Sequence, residues 1–296
     1  MGFRKGRQYA ITWCKKAENY SYVKALECYD EAIKRDPEFA EPWYGKGKIF
    51  ADTPELPQNW MWHNTISPYI TGIEPPPYPE VGSQTASKYR ETLKMFNKAT
   101  ELDPKFVNAW YAKGDFYFGY VNGEGDAVEC FDKVIALDSK YEPAWYGKAE
   151  ALAKLSKHEE VIKCCDKAIT LLPVDAKERN TDDNNYYYSS RWYIKANALS
   201  ELGKHKEAIK CYDEALEMGS NRGEGGHMFG QKGITLAKLG KHEEAIKCFD
   251  EALKRMGYRT DSLRPKINLA KADALSELGE GVSDETSMVK CYSSAI

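Results

Sequence analysis

The sequence predicts an all-α fold, an α-solenoid of about seven helix-turn-helix units, from three observations. First, a sixteen-residue block recurs: Leu239-Gly-Lys-His-Glu-Glu-Ala-Ile-Lys-Cys-Phe-Asp-Glu-Ala-Leu-Lys254 repeats closely from Leu202 to Glu217 and from Leu155 to Thr170. Second, a Trp-Tyr-x-Lys block opens units at Trp43, Trp110, Trp145 and Trp192, with Trp110 and Trp145 separated by 35 residues. Third, apolar residues fall at helical spacing, as in Ala245, Ile246, Phe249, Ala252 and Leu253, and strand signals are absent.

The units are taken in chain order. Unit one (6–39) has its second helix from Tyr22 to Asp36. Asp36-Pro37 ends it, because the residue before proline is pushed out of helical geometry. Unit two (40–106) opens at Trp43 and closes at Asp103-Pro104, and a 52–87 insertion adds 33 residues between its helices. Unit three (107–141) opens at Trp110, and unit four (142–175) at Trp145. Residues 176–188, ending in Tyr186-Tyr-Tyr188, read as an inter-repeat insertion that breaks the array into two stacks, with Asp182-Asp-Asn-Asn185 in a solvated connector. Unit five (189–222) opens at Trp192 and unit six (226–259) carries Phe229 in the same place. Gly223-Glu-Gly-Gly226 between them lacks the preceding strand and the Gly-Lys-Ser/Thr ending of a phosphate loop, and reads as a flexible connection. Unit seven (265–296) holds Asn268 where the aromatic belongs, and the sequence stops at Ile296 inside its second helix. Gly203, Gly240 and Gly279 suit the left-handed position just past a helix end.

This pattern resembles the tetratricopeptide repeat family over nearly the whole chain. The family's large residue at position 4 is Trp43, Trp110, Trp145, Trp192 or Phe229. Its small residue at position 8 is Gly47, Gly114, Ala149, Ala196, Gly233 or Ala272, and its aromatic at position 24 is Tyr29, Phe96, Phe131, Tyr212, Phe249 or Tyr292. Unit one departs from it, with Trp13 where a small residue belongs, and unit four has Cys165 for the aromatic. The resemblance implies a right-handed superhelix whose first helices line a concave groove. Carried over by position, the groove residues are Tyr44, Lys48, Tyr111, Asp115, Tyr146, Glu150, Tyr193 and Asn197. Tyrosine combines a large area, few rotors and a hydroxyl, which suits peptide binding. With tyrosine at position 5, the basic carboxylate clamp of chaperone-binding members is not expected.

A lysine row at position 7 (Lys46, Lys113, Lys148, Lys195, Lys232 and Lys271) reads either as a basic stripe for an acidic partner or as stems packed between helices with their ammonium groups in water. The insertion holds seven of the thirteen prolines, no Lys or Arg, and the aromatic and histidine residues Trp60, Trp62, His63, Tyr69 and Tyr78. It reads either as a cover over the second helices or as a partner-binding arm.

Net charge is −3, with 42 basic and 45 acidic residues, so there is no bulk drive to nucleic acid or membrane. No apolar run is long enough to span a bilayer, and a cytoplasmic protein is expected. Six of eight cysteines (Cys28, Cys130, Cys164, Cys211, Cys248 and Cys291) share repeat position 23, spaced unlike a zinc site and suited to packing. His158, His205 and His242 are likewise locked to one repeat position. No catalytic constellation, metal site or cofactor is expected. The sequence therefore points to a non-catalytic scaffold binding a protein or peptide ligand, with self-association through uncapped repeat ends as a further mode. The alternative is a regulatory repeat region of a larger enzyme or sensor.

Overall fold

The computed structural model describes residues 2–52, 84–120, 123–172, 182–219, 224–256 and 263–279. Among them are thirteen helices: α1 (Gly2–Ala17), α2 (Tyr22–Arg35), α3 (Ala40–Ala51), α4 (Gln84–Leu102), α5 (Val107–Tyr120), α6 (Glu124–Leu137), α7 (Glu142–Lys154), α8 (His158–Leu171), α9 (Asp182–Glu201), α10 (His205–Gly219), α11 (Glu224–Lys238), α12 (His242–Arg255) and α13 (Leu263–Glu277). The fold is an all-α repeat solenoid. Trp60, Trp62, His63, Tyr69 and Tyr78, and the second helix expected in unit seven, lie outside the described residues. No helix among the described residues is long and apolar enough to cross a membrane.

The described residues form two compact units, one running to Ala151 and the other starting at Leu152. In the first, each helix from α1 to α6 packs on the next, and the alternate helices α1, α3 and α5 also touch. In the second, α8 to α13 do the same, with contacts among α9, α11 and α13.

Two chemical devices fix the turns. Within a hairpin, Gly203, Gly240 and Gly279 have φ of 73°, 77° and 69°, the left-handed region expected of them. Around Gly240, Lys241 N–H bonds to Leu236 C=O (3.0 Å) and Gly240 N–H to Ala237 C=O (2.9 Å), which satisfies carbonyls at the helix end. Between hairpins, Asp103 and Asp138 accept the backbone N–H two residues on, from Lys105 (2.9 Å) and Lys140 (3.0 Å). The indole N–H groups of Trp43, Trp110 and Trp145 then donate to the carbonyls of Pro37, Pro104 and Ser139 at 3.0–3.1 Å. The tryptophan thus ties the first turn of its helix to the loop that delivers it.

The core is made of rings seated on glycines. A Cβ on Gly114 would stand 3.1 Å from Phe131, and one on Gly147 would stand 2.7 Å from the same ring. Phe131 is 1% exposed, clamped between two first helices. Gly47 and Gly233 seat Phe96 and Phe249 in the same way. Burying such a ring is worth roughly 2–3 kcal/mol, and the bare backbone beneath it lets the helices come close enough to do so.

Four sequence expectations are corrected. Asp182 to Tyr188 are helical, not a connector, because α9 starts at Asp182. Asp and Asn favour helix starts as strongly as loops, so the run reads either way. Helix α8 packs on α9, so the 176–188 segment does not separate two stacks. Gly226 is not in a flexible connection but inside α11, where a Cβ would meet the Met256 side chain at 2.9 Å. Close approach to the end of α12 explains that glycine. The insertion is also shorter than its sequence boundaries, since α4 begins at Gln84.

Candidate functional site

The first helices carry the expected groove residues at very different depths. In the first unit, Tyr44, Tyr111 and Tyr146 are half-buried and Lys48 is exposed. Asp115 and Glu150 are buried, and Tyr146 O–H donates to Glu150 Oε1 at 3.0 Å. In the second unit, Tyr193 is 1% exposed and lies in a core cluster with Ala196, Leu199 and Tyr212. Asn197 accepts the Tyr212 hydroxyl at 2.6 Å. The tyrosine row is therefore open in the first unit and closed over at Tyr193.

Tyr44 and Lys48 come together in one cleft of about 620 Å³. It lies between the α1–α2 turn, the exposed side of α3 and the start of α5, and its lining includes Glu18, Tyr20, Tyr22, Glu41, Asp52, Phe106 and Asn108. Tyr44 meets Phe106 edge-on, with ring centroids 5.0 Å apart, and the Lys48 ammonium lies 5.9 Å over the Tyr44 ring. A second cleft of about 480 Å³ shares Glu41 and Phe106 and adds Arg7, Glu38 and Asp103. Two of the rings in these walls, Phe39 and Phe106, enter just ahead of first helices, and Tyr141 holds the same place before α7, 5.3 Å from Tyr111. Sequence reasoning missed them, although one aromatic before each of α3, α5 and α7 was a readable signal.

Burial raises the phenols here. Tyr44 is pushed up to about 12 by desolvation and then by the nearby Tyr141 and Asp52 charges. Tyr29, at the floor, is also raised to about 12, by desolvation first, then by Cys14, Glu18 and Glu41. The Asp52 carboxyl is raised by its partly covered position, with Lys48 opposing.

The lysine row resolves differently from both sequence readings. Lys46, Lys148, Lys195, Lys232 and Lys271 pair with Asp30, Asp132, Asp166, Asp213 and Asp250 on the preceding second helix, at 2.5–2.6 Å. The lysines are 15–19% exposed and the aspartates about half exposed. The stems pack as expected, but the ammonium groups reach a repeat-encoded aspartate rather than free water, so they form no open basic stripe. Lys113 departs from the row: the equivalent position holds Asn97, and Lys113 lies 5.0 Å over Trp110 instead.

The seven described cysteines are buried thiols. Cys164 and Cys165 are 4% and 0% exposed, so both helix faces they occupy are covered. His158, His205 and His242 each begin a second helix, and each buries its Nδ1 without a hydrogen-bond partner.

Tetratricopeptide repeat family models match three stretches, residues 21–59, 142–174 and 188–256. No curated protein sequence matches the chain. Among solved structures, a tetratricopeptide repeat protein from Parabacteroides merdae ATCC 43184 is 12% identical, with 97% of this chain and 99% of that one covered and a TM-score of 0.56. YrrB, described as a tetratricopeptide protein with an unusual peptide-binding site, is 17% identical, with 78% and 93% covered and a TM-score of 0.54. MamA is 21% identical, with 60% and 96% covered and a TM-score of 0.50. At these identities the likeness is one of fold. Matching family models, together with glycine-seated rings and tryptophan-tied turns, identify residues 21–59, 142–174 and 188–256 as tetratricopeptide repeats within an all-α repeat solenoid.

Proposed function

We propose that this chain is a non-catalytic interaction scaffold that holds an extended peptide segment of a partner protein against the first-helix face of its first unit. The observation that supports this most is the cleft holding Tyr44 and Lys48, with half-buried Tyr111 and Tyr146 on the following first helices. Half-buried tyrosines are held rigid by their packed edge while the other edge stays available, so binding orders few additional groups. YrrB shows that this fold supports peptide binding, an analogy of fold rather than of site. In the second unit, Tyr193 fills the core and does not serve as a contact.

The test is affinity capture of a partner by the full chain, followed by titration of that partner. Tyr146→Ala and Tyr111→Ala should each weaken binding by about 1–2 kcal/mol without loss of helicity. Unchanged affinity in both variants would move the binding surface off this face.

A further inference from the structure

The charges around the Tyr44 cleft do not balance. Its lining carries Glu18, Glu41 and Asp52 against Lys48 as the one ammonium. Glu18, Glu41 and Asp52 are all exposed, and none has an ion-pair partner among the described residues. This contrasts with the rest of the unit, where Lys46 and Lys148 are each matched to an aspartate and Arg7 is bonded to Asp36. The neighbouring cleft extends the imbalance, adding Glu38 and Asp103, while its one cation, Arg7, is already held by Asp36. The chain that leaves α3 at Asp52 carries no Lys or Arg before Lys88, so its own composition adds no neutralising cation.

The walls between these carboxylates are aromatic. Tyr20 and Tyr22 are 49% and 39% exposed at the mouth, and Tyr44 and Phe106 form the side. Ring faces attract cations through their quadrupole, and carboxylates beside them add a charge partner and hydrogen-bond acceptors. The chain already shows the preference: Lys48 lies over Tyr44, and Lys24 lies 6.0 Å over Tyr20.

We propose that the cleft receives an arginine or lysine side chain of a basic peptide partner, with the cation lying against the tyrosine rings and facing Glu18, Glu41 and Asp52. The assignment rests on the peptide-scaffold reading and names its ligand class. Lys48 is then a competitor for the incoming cation, not a contact that helps it. This yields an unusual expectation, that removing a polar groove residue improves binding.

The experiment is selection of a random dodecapeptide display library on the full chain, followed by titration of recovered synthetic peptides. The expected result is enrichment in Arg and Lys. Glu41→Gln and Asp52→Asn should each weaken binding about three- to fivefold, and Lys48→Met should strengthen it by a similar factor. The three side chains are exposed, so an unchanged melting curve certifies the fold of each variant. Peptides without a basic excess, or peptides indifferent to Glu41→Gln and Asp52→Asn, would overturn the charge assignment and leave the scaffold reading standing. Recovery of no binding peptide would overturn the scaffold reading and this inference with it.

Discussion

Ser156 occupies the turn position that glycine fills in the later hairpins, with φ of 57°. Its turn keeps the same bonds, Ser156 N–H to Ala153 C=O and Lys157 N–H to Leu152 C=O, both at 3.0 Å. A left-handed conformation costs an ordinary L-residue about 1 kcal/mol. Ser156→Gly should therefore stabilise the chain by roughly that amount, and Gly240→Ala should destabilise it similarly, both read as shifts in urea midpoint. The titrating groups act at the same scale. Burial raises the thiols of Cys14 and Cys130 from 9.0 to about 12, and the phenols of Tyr29 and Tyr44 from 10.0 to about 12. The unfolded chain gives up these protons first while the folded chain still holds them, so stability falls as pH rises. The urea midpoint should be level up to about pH 9 and drop steadily from there towards 12. A midpoint still level at pH 11 would contradict the burial of these groups.

Helix pairing is encoded twice, once by shape and once by charge. Phe131 is held between Gly114 and Gly147, so Gly147→Ala forces a Cβ to 2.7 Å from the ring. Helix spacing has to give, at a cost of about 1–3 kcal/mol measurable by thermal melting. The charge ladder has one gap, where Asn97 stands at the aspartate position and buries its Oδ1 without a partner. Asn97→Asp should give Lys113 the pairing its equivalents enjoy and raise stability by about 0.5 kcal/mol, lost again in 1 M salt. If Asn97→Asp destabilises the chain, the lysine at that step is committed to Trp110 and the ladder is not interchangeable between repeats.

For the whole molecule, stability is a sum over neighbouring hairpins, since each helix contacts chiefly the ones beside it in sequence. Phe131→Ala removes a ring from the core shared by α5, α6 and α7, at a cost of about 3–5 kcal/mol. Amide exchange should accelerate in those three helices and stay unchanged in α11 and α12. Uniform acceleration through all helices would instead mean one cooperative unit. The buried cysteines report on the same scale: closed off from solvent, the described cysteines should stay silent to a thiol reagent at pH 8 until denaturant is added.

The repeat, its helical content, its turn glycines and its ring-on-glycine packing were legible in the sequence, because each is a local preference stated several times over. Trp110, Gly240 and Phe249 each announce a role that the neighbouring copies corroborate. The Lys–Asp ladder was half legible: the lysines stood out, while their partners, 16 to 29 residues away, showed only once the helices packed. The start of α9 and the place of Gly226 were misread, because Asp, Asn and Gly serve loops and helix ends alike. The candidate site depended on tertiary structure most of all. Tyr44 and Tyr193 hold the same repeat position, yet Tyr44 lines an acidic cleft and Tyr193 is sealed in a core. Exposure is fixed by what neighbouring helices leave uncovered, a sum over residues distant in sequence, and no single repeat carries that information.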